Sequence, residues 1–168
     1  MVARDMLIAL GRPPVPILKS AGGAPQWPTG IVGSIAHDDE IAVAAIAEQS
    51  QYPSVGIDIE HPLPLPPKVL RLVTTPSERE RYAADPIAGR LLFAAKEAVY
   101  KASFSTDNVF LDYDDITIYL ESSRAFIKGG ATFPISFLKF PHILVVAYRA
   151  LSEQIDDPAT GFDRLTGP

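Results

Sequence analysis

Two short stretches of the chain carry residue types and spacings that could do chemistry. In Val55-Gly56-Ile57-Asp58-Ile59-Glu60 the apolar residues alternate with the others, the period-two pattern of a strand. Val55, Ile57 and Ile59 share one face, so Gly56, Asp58 and Glu60 share the other. Acidic residues are depleted in strands, and two like charges on one face repel unless a cation lies near them. In Phe93-Ala94-Ala95-Lys96-Glu97-Ala98-Val99-Tyr100-Lys101-Ala102 the pattern is helical, and Glu97 and Lys101 lie one turn apart on one face. The small and apolar neighbours predict a largely buried helix, and burying Lys96, Glu97 and Lys101 costs several kcal/mol unless they are paired or metal-bound. Three carboxylates and a lysine that converge would form a hard-cation site suited to a phosphate ester. Each half also has a plainer reading: a solvated acidic strand face, and an exposed ion pair worth a few tenths of a kcal/mol.

His37 follows Gly33-Ser34-Ile35-Ala36 at a strand–loop junction. It reads either as a hydrogen-bonded turn residue or as a phosphate donor at a strand end. His61 and His142 show no ligand spacing in the sequence that would make a zinc site. Arg4 and Arg12 are surface residues unless they face one anion.

The elements that must position these groups are predicted as follows. A helix spans residues 3–10 and stops at Gly11 and Pro13. Residues 11–30 form an ordered loop with a short extended piece at 15–18. Strands follow at 31–35, 41–47 and 54–60. The proline run of residues 61–67 is an extended linker. A short helix covers 68–73, and Thr75-Pro76-Ser77-Glu78 is a capping box with proline at the first helical position, opening a helix to about residue 84. The long helix covers 87–104, and strands at 114–121, 124–133 and 143–150 form a meander. The polar tail from residue 152 is expected to be mobile. Apolar strands follow both His37 and His142, a faint internal echo.

With 168 residues, 47% hydrophobic and 21% charged, the composition is that of an ordinary globular protein. The chain holds 0 cysteines, which excludes disulfides, thiolate nucleophiles and cysteine-ligated zinc and is consistent with the cytoplasm. No apolar run approaches the roughly 18–20 residues of a membrane span, and the amino-terminal residues lack the pattern of a secretory leader. A net charge of −5 argues against a nucleic-acid partner.

Taken in order, these segments resemble the 4′-phosphopantetheinyl transferase superfamily, of the surfactin-synthetase and enterobactin-synthetase type. The matching residues are Gly11-Arg12-Pro13-Pro14-Val15-Pro16, Trp27-Pro28-Thr29-Gly30, Gly33-Ser34-Ile35-Ala36-His37, Gly56-Ile57-Asp58-Ile59-Glu60 and Lys96-Glu97-Ala98-Val99-Tyr100-Lys101-Ala102. The resemblance implies an α+β fold: a pseudo-twofold pair of lobes, each a small antiparallel sheet with a packed helix. The first lobe would span 1–60 and the second 61–151, fused in one compact unit, with 152–168 as the tail. It implies magnesium-dependent transfer of the 4′-phosphopantetheine group from coenzyme A to a serine of an acyl, peptidyl or aryl carrier protein, with release of adenosine 3′,5′-bisphosphate. It assigns Asp58, Glu60 and Glu97 to magnesium and Lys101 to the phosphates. It assigns Arg4, Arg12 and His37 to the nucleotide end, and leaves Glu97 as the candidate base for the carrier serine.

Relative to that family the chain is expected to be shortened before Ala3, and Ala36 stands where a Ser or Thr is usual, a loss of about 0.5–1.5 kcal/mol for one neutral hydrogen bond. A monomeric cytoplasmic enzyme is expected. Two other readings stay open: a degenerate paralogue that binds coenzyme A or a carrier protein without turnover, and a phosphate-ester hydrolase built on the same carboxylates. Lys68, Arg71, Leu72 and the Ser103–Phe110 segment, expected as a loop, are candidates for carrier docking.

Overall fold

The computed structural model describes residues 2–20, 22–107 and 109–150; the tail assigned to 152–168 lies outside them. The architecture is α+β. Helix α1 (Val2–Ala9) leads through two short paired strands, β1 (Leu18–Lys19) and β2 (Pro25–Gln26), into a hairpin of β3 (Ile31–His37) and β4 (Ala42–Glu48). Helix α1 packs on β4. Strand β5 (Ser54–Glu60) then precedes three helices, α2 (Pro67–Val73), α3 (Pro76–Arg81) and α4 (Ala88–Asp107). A 3-10 turn at Tyr113–Asp115 opens the meander of β6 (Ile116–Tyr119), β7 (Arg124–Ile127), β8 (Thr132–Leu138) and β9 (Ile143–Arg149).

Strand β5 pairs with β9, giving a five-stranded antiparallel sheet in the order β5-β9-β8-β7-β6. By hydrogen bonding, therefore, the strand at the end of the expected first lobe belongs to the second sheet. Its alternation explains how it serves both. Ile57 and Ile59 pack with Ala36, Val43 and Ala45 of the β3–β4 hairpin on one face. Gly56 and Asp58 face α4 on the other.

Helix α4 buries Leu91, Leu92, Ala94, Ala95, Ala98, Val99 and Ala102 against β6–β9. Gly56 sets its distance from β5, since a Cβ there would lie 1.9 Å from the Ala98 carbonyl oxygen. Only glycine lets this strand and helix come so close.

Two expectations about elements need correction. Residues 124–133 are not one strand. Gly129 and Gly130, with φ of 109° and 108°, turn the chain between β7 and β8. Strand β8 was missed because Pro134 interrupts its pattern. Ser103–Asp107 are not loop but the last turns of α4. The expected helix at Thr75 is present with both arms of its capping box, though it ends at Arg81.

Candidate active site

The carboxylate strand and the acidic helix meet as their periodicities require. Lys101 Nζ donates to Asp58 Oδ1 at 2.7 Å and to the Ile57 carbonyl at 3.1 Å. Asp58 is 7% exposed, and its Oδ2 is buried without a hydrogen-bond partner. Burial pushes the Asp58 carboxyl up to about 6, the nearby Glu60 and Glu97 charges add to this, and Lys101 only partly offsets them. The three carboxylates thus share one electrostatic neighbourhood.

Each carboxylate nevertheless has its own partner. Glu60 accepts from Arg90 Nη1 at 2.8 Å. Glu97 accepts from the Tyr113 hydroxyl at 2.7 Å. Burial, then the bond to Glu97, raises the Tyr113 pKa, and Asp58 and Glu60 push it the same way. A small pocket lined by Glu97, Tyr100, Leu111 and Tyr113 opens beside the helix.

Neither Arg90 nor Tyr113 was singled out from the sequence. Arg90 had a usable signal, because it lies seven residues before Glu97 and hence on the same helical stripe. Tyr113 had none, since its contact depends on the turn that follows α4.

Lys96 is the other charge that the apolar helix had to accommodate. Its Nζ donates to Glu78 Oε2 at 2.8 Å and to the Tyr113 carbonyl at 2.9 Å. Both side chains of the pair are fully buried. Glu78 Oε1 also accepts from the Ile118 backbone N–H at 3.0 Å. The capping residue is therefore a core residue as well, joining α3, α4 and β6 and fixing the turn that carries Tyr113.

Of the residues assigned to the nucleotide end, Arg12 and His37 are not brought together. Arg12 forms a two-pronged pair with Glu48, with Nη2 at 2.6 Å and Nε at 3.1 Å from its carboxylate oxygens. Glu48 lies opposite Ile31, whereas His37 lies opposite Ala42. The two sites are at opposite ends of the hairpin, about 20 Å apart at roughly 3.4 Å per strand residue. His37 is exposed beside the hairpin turn, and Arg4 is exposed on α1.

A second group was missed altogether. His61 and His142, 81 residues apart in the chain, have ring centroids 5.1 Å apart. With Asp38 they place one ligand atom each within 4.8 Å of one another. Ligand spacing in the sequence could not reveal this, because the β5–β9 register creates it.

For magnesium, the donor set on β5 and α4 fits: all oxygen, with one orphaned carboxylate oxygen on Asp58. Of the candidates for docking a partner, Leu72 on α2 is 69% exposed and Phe110 after α4 is 80% exposed, whereas Ser103 is buried in α4.

A family model for the 4′-phosphopantetheinyl transferase N-terminal domain matches residues 1–47, and one for the 4′-phosphopantetheinyl transferase superfamily matches residues 54–148. The chain belongs to the 4′-phosphopantetheinyl transferase superfamily.

It is 42% identical over 125 residues to the 4′-phosphopantetheinyl transferase Svp of Streptomyces mobaraensis, covering 71% of this chain and 51% of that protein. It is 43% identical over 136 residues to Npt of Nocardia iowensis, covering 78% and 61%. Enterobactin synthase component D of Escherichia coli is 38% identical over 100 residues, covering 55% and 47%. The chain spans about half to three-fifths of the length of these curated relatives. Among the described residues, no helix is long and apolar enough to cross a membrane.

Proposed function

We propose that this protein transfers the 4′-phosphopantetheine group from coenzyme A to a serine hydroxyl of a carrier protein, leaving adenosine 3′,5′-bisphosphate. The observation that carries this reading is the buried Asp58 carboxylate, with an unpartnered oxygen, held against Lys101 and beside Glu60 and Glu97. Such a concentration of negative charge calls for a cation and suits a phosphate-ester substrate.

Asp58, Glu60 and Glu97 would hold magnesium. When bound, the ion would neutralise charge on the pyrophosphate and on the leaving bisphosphate. Lys101, which donates to Asp58 at 2.7 Å, would supply a second positive charge to the phosphates at this cluster. Arg90 stands in the same relation to Glu60. Glu97 Oε1 holds the proton of Tyr113 through a hydrogen bond, which orients the carboxylate. A carboxylate so fixed can take the proton of the incoming serine hydroxyl. The pocket beside Glu97 gives that serine an approach from the side of the 3-10 turn. His37, Arg4 and Arg12 are the basic groups proposed for the nucleotide, and Arg12 would first have to leave Glu48.

The docking surface proposed for the carrier comprises Lys68, Arg71 and Leu72 of α2 with Phe110 beyond α4, all exposed. The chain is acidic, so long-range attraction to an acidic carrier is weak and recognition rests on this local patch. Magnesium, a cytoplasmic setting and a monomeric state complete the reading.

The test is product analysis with coenzyme A, magnesium and a panel of acyl and peptidyl carrier proteins. Release of adenosine 3′,5′-bisphosphate in equal amount to modified carrier supports transfer. Release without carrier modification would indicate the hydrolase, and no release would indicate a binding paralogue.

A further inference from the structure

The histidine pair and Asp38 form a constructed site outside the carboxylate cluster. In the β5–β9 pairing Glu60 lies opposite Ile143, so His61 and His142 leave the sheet side by side. The β3–β4 turn brings Asp38 over them. Asp38 Oδ1 accepts the backbone N–H groups of Glu40 at 2.8 Å and Ile41 at 2.7 Å. That bonding consumes one oxygen and fixes the other, Oδ2, toward the imidazoles, 3.3 Å from His142 Nε2 and 3.8 Å from His61 Nε2. The Asp38 side chain is only 9% exposed.

The decisive detail is what these atoms fail to do. Asp38 Oδ2 and His142 Nε2 are both buried, and neither has a hydrogen-bond partner, although they face each other. Two buried polar atoms at hydrogen-bonding range normally satisfy one another, and leaving both orphaned costs about 1–3 kcal/mol each. Lone pairs directed at a common third point give this arrangement: close ligand atoms without a bond between them. Tetrahedral zinc with bonds of about 2.0–2.1 Å places its ligand atoms roughly 3.3–3.4 Å apart; Asp38 Oδ2 and His142 Nε2 already stand at 3.3 Å, and Asp38 Oδ2 and His61 Nε2, at 3.8 Å, would close by about half an ångström.

We propose that Asp38, His61 and His142 bind a divalent transition metal of the zinc class. Imidazole nitrogens prefer such ions, whereas magnesium prefers oxygen and octahedral geometry. Two acidic side chains can supply a fourth ligand. His61 Nε2 is hydrogen-bonded to Asp39 Oδ1 at 2.6 Å, a bond that metal binding would replace, and Glu40 Oε2 lies 3.5 Å from His142 Nε2. The metal would cross-link parts of the fold that no strand pairing joins, since the β3–β4 hairpin forms a sheet separate from the one holding β5 and β9. Its role is structural: it pins the hairpin turn, and with it the adjacent His37, to the edge of the sheet that bears Asp58 and Glu60. The proposal stands whether or not the chain is a transferase.

The experiment uses the untagged full chain, stripped of metal and held in excess magnesium, titrated with zinc by calorimetry and followed by thermal melting. One zinc per chain with micromolar or tighter affinity and a raised Tm is expected. His142→Gln and Asp38→Asn should each weaken zinc at least roughly tenfold, while Asp58→Asn should leave it unchanged. X-ray absorption of the zinc-loaded wild type needs no variant and should show two imidazoles around the metal. No zinc binding above the magnesium background, a spectrum without imidazole, or zinc lost in Asp58→Asn but kept in His142→Gln would overturn the proposal.

Discussion

Lys101 Nζ lies 2.7 Å from Asp58 Oδ1, so a cation from α4 holds a carboxylate from β5 across 43 residues of chain. Burial nevertheless outweighs that ammonium, and the Asp58 carboxyl is raised to about 6. Lys101 therefore offsets only part of the effect that burial and the neighbouring carboxylates have on Asp58.

Asp58 should therefore weaken the metal-free protein when it ionises. A raised folded-state value means that the stabilisation is complete below the unfolded value near pH 4 and is lost as the pH rises through about 6. The span corresponds to at most about 3 kcal/mol. In chelator, Asp58→Asn should hold or raise the Tm at neutral pH, flatten its dependence between these values and abolish tight magnesium binding. A clear fall in Tm at neutral pH would make Asp58 a structural residue.

Glu97→Gln keeps the shape of the side chain and can still receive the Tyr113 hydrogen bond, but it removes charge and basicity. Turnover should fall by about two to four powers of ten with the melting curve little changed. Near-normal turnover would remove Glu97 from the site.

Lys101→Ala should lower maximal rate more than coenzyme A affinity, because in the proposed reaction its charge faces negative charge that grows during transfer. Calorimetry and steady-state kinetics together separate the two. An unchanged maximal rate with weakened binding would reduce Lys101 to an anchor.

Glu78 and Lys96 are a fully buried pair at 2.8 Å. Removing one partner strands the other charge, so Lys96→Met should cost about 3–5 kcal/mol in chemical denaturation. The double variant Glu78→Gln, Lys96→Met should recover part of the loss. A double-variant loss equal to the sum of the two single-variant losses would show that the pair is not coupled.

The part of the site that was legible in the sequence is the part governed by local periodicity. Alternation put Asp58 and Glu60 on one strand face, and helical spacing put Glu97 and Lys101 on one helix face. An apolar α4 then had to pack that face on the strand, with Gly56 permitting the approach. Contacts made by register and by turns were not legible. His61 meets His142 only through the β5–β9 pairing, Tyr113 reaches Glu97 only through the 3-10 turn, and Arg12 is held by Glu48 at the far end of a hairpin. Glu78 was visible as a cap, but its burial against Lys96 depends on how three elements pack. Strand β8 was hidden by Pro134 and by the Gly129-Gly130 turn, which looked like the interior of a longer strand.

The most direct measurement is the intact mass of a carrier protein incubated with this chain, coenzyme A and magnesium, beside matched reactions in chelator and with Glu97→Gln. The predicted result is gain of one phosphopantetheine group on the carrier serine in the complete reaction, with little or none in the other two. An unmodified carrier across acyl, peptidyl and aryl types, or modification that persists at the same rate without a divalent cation, would contradict the account.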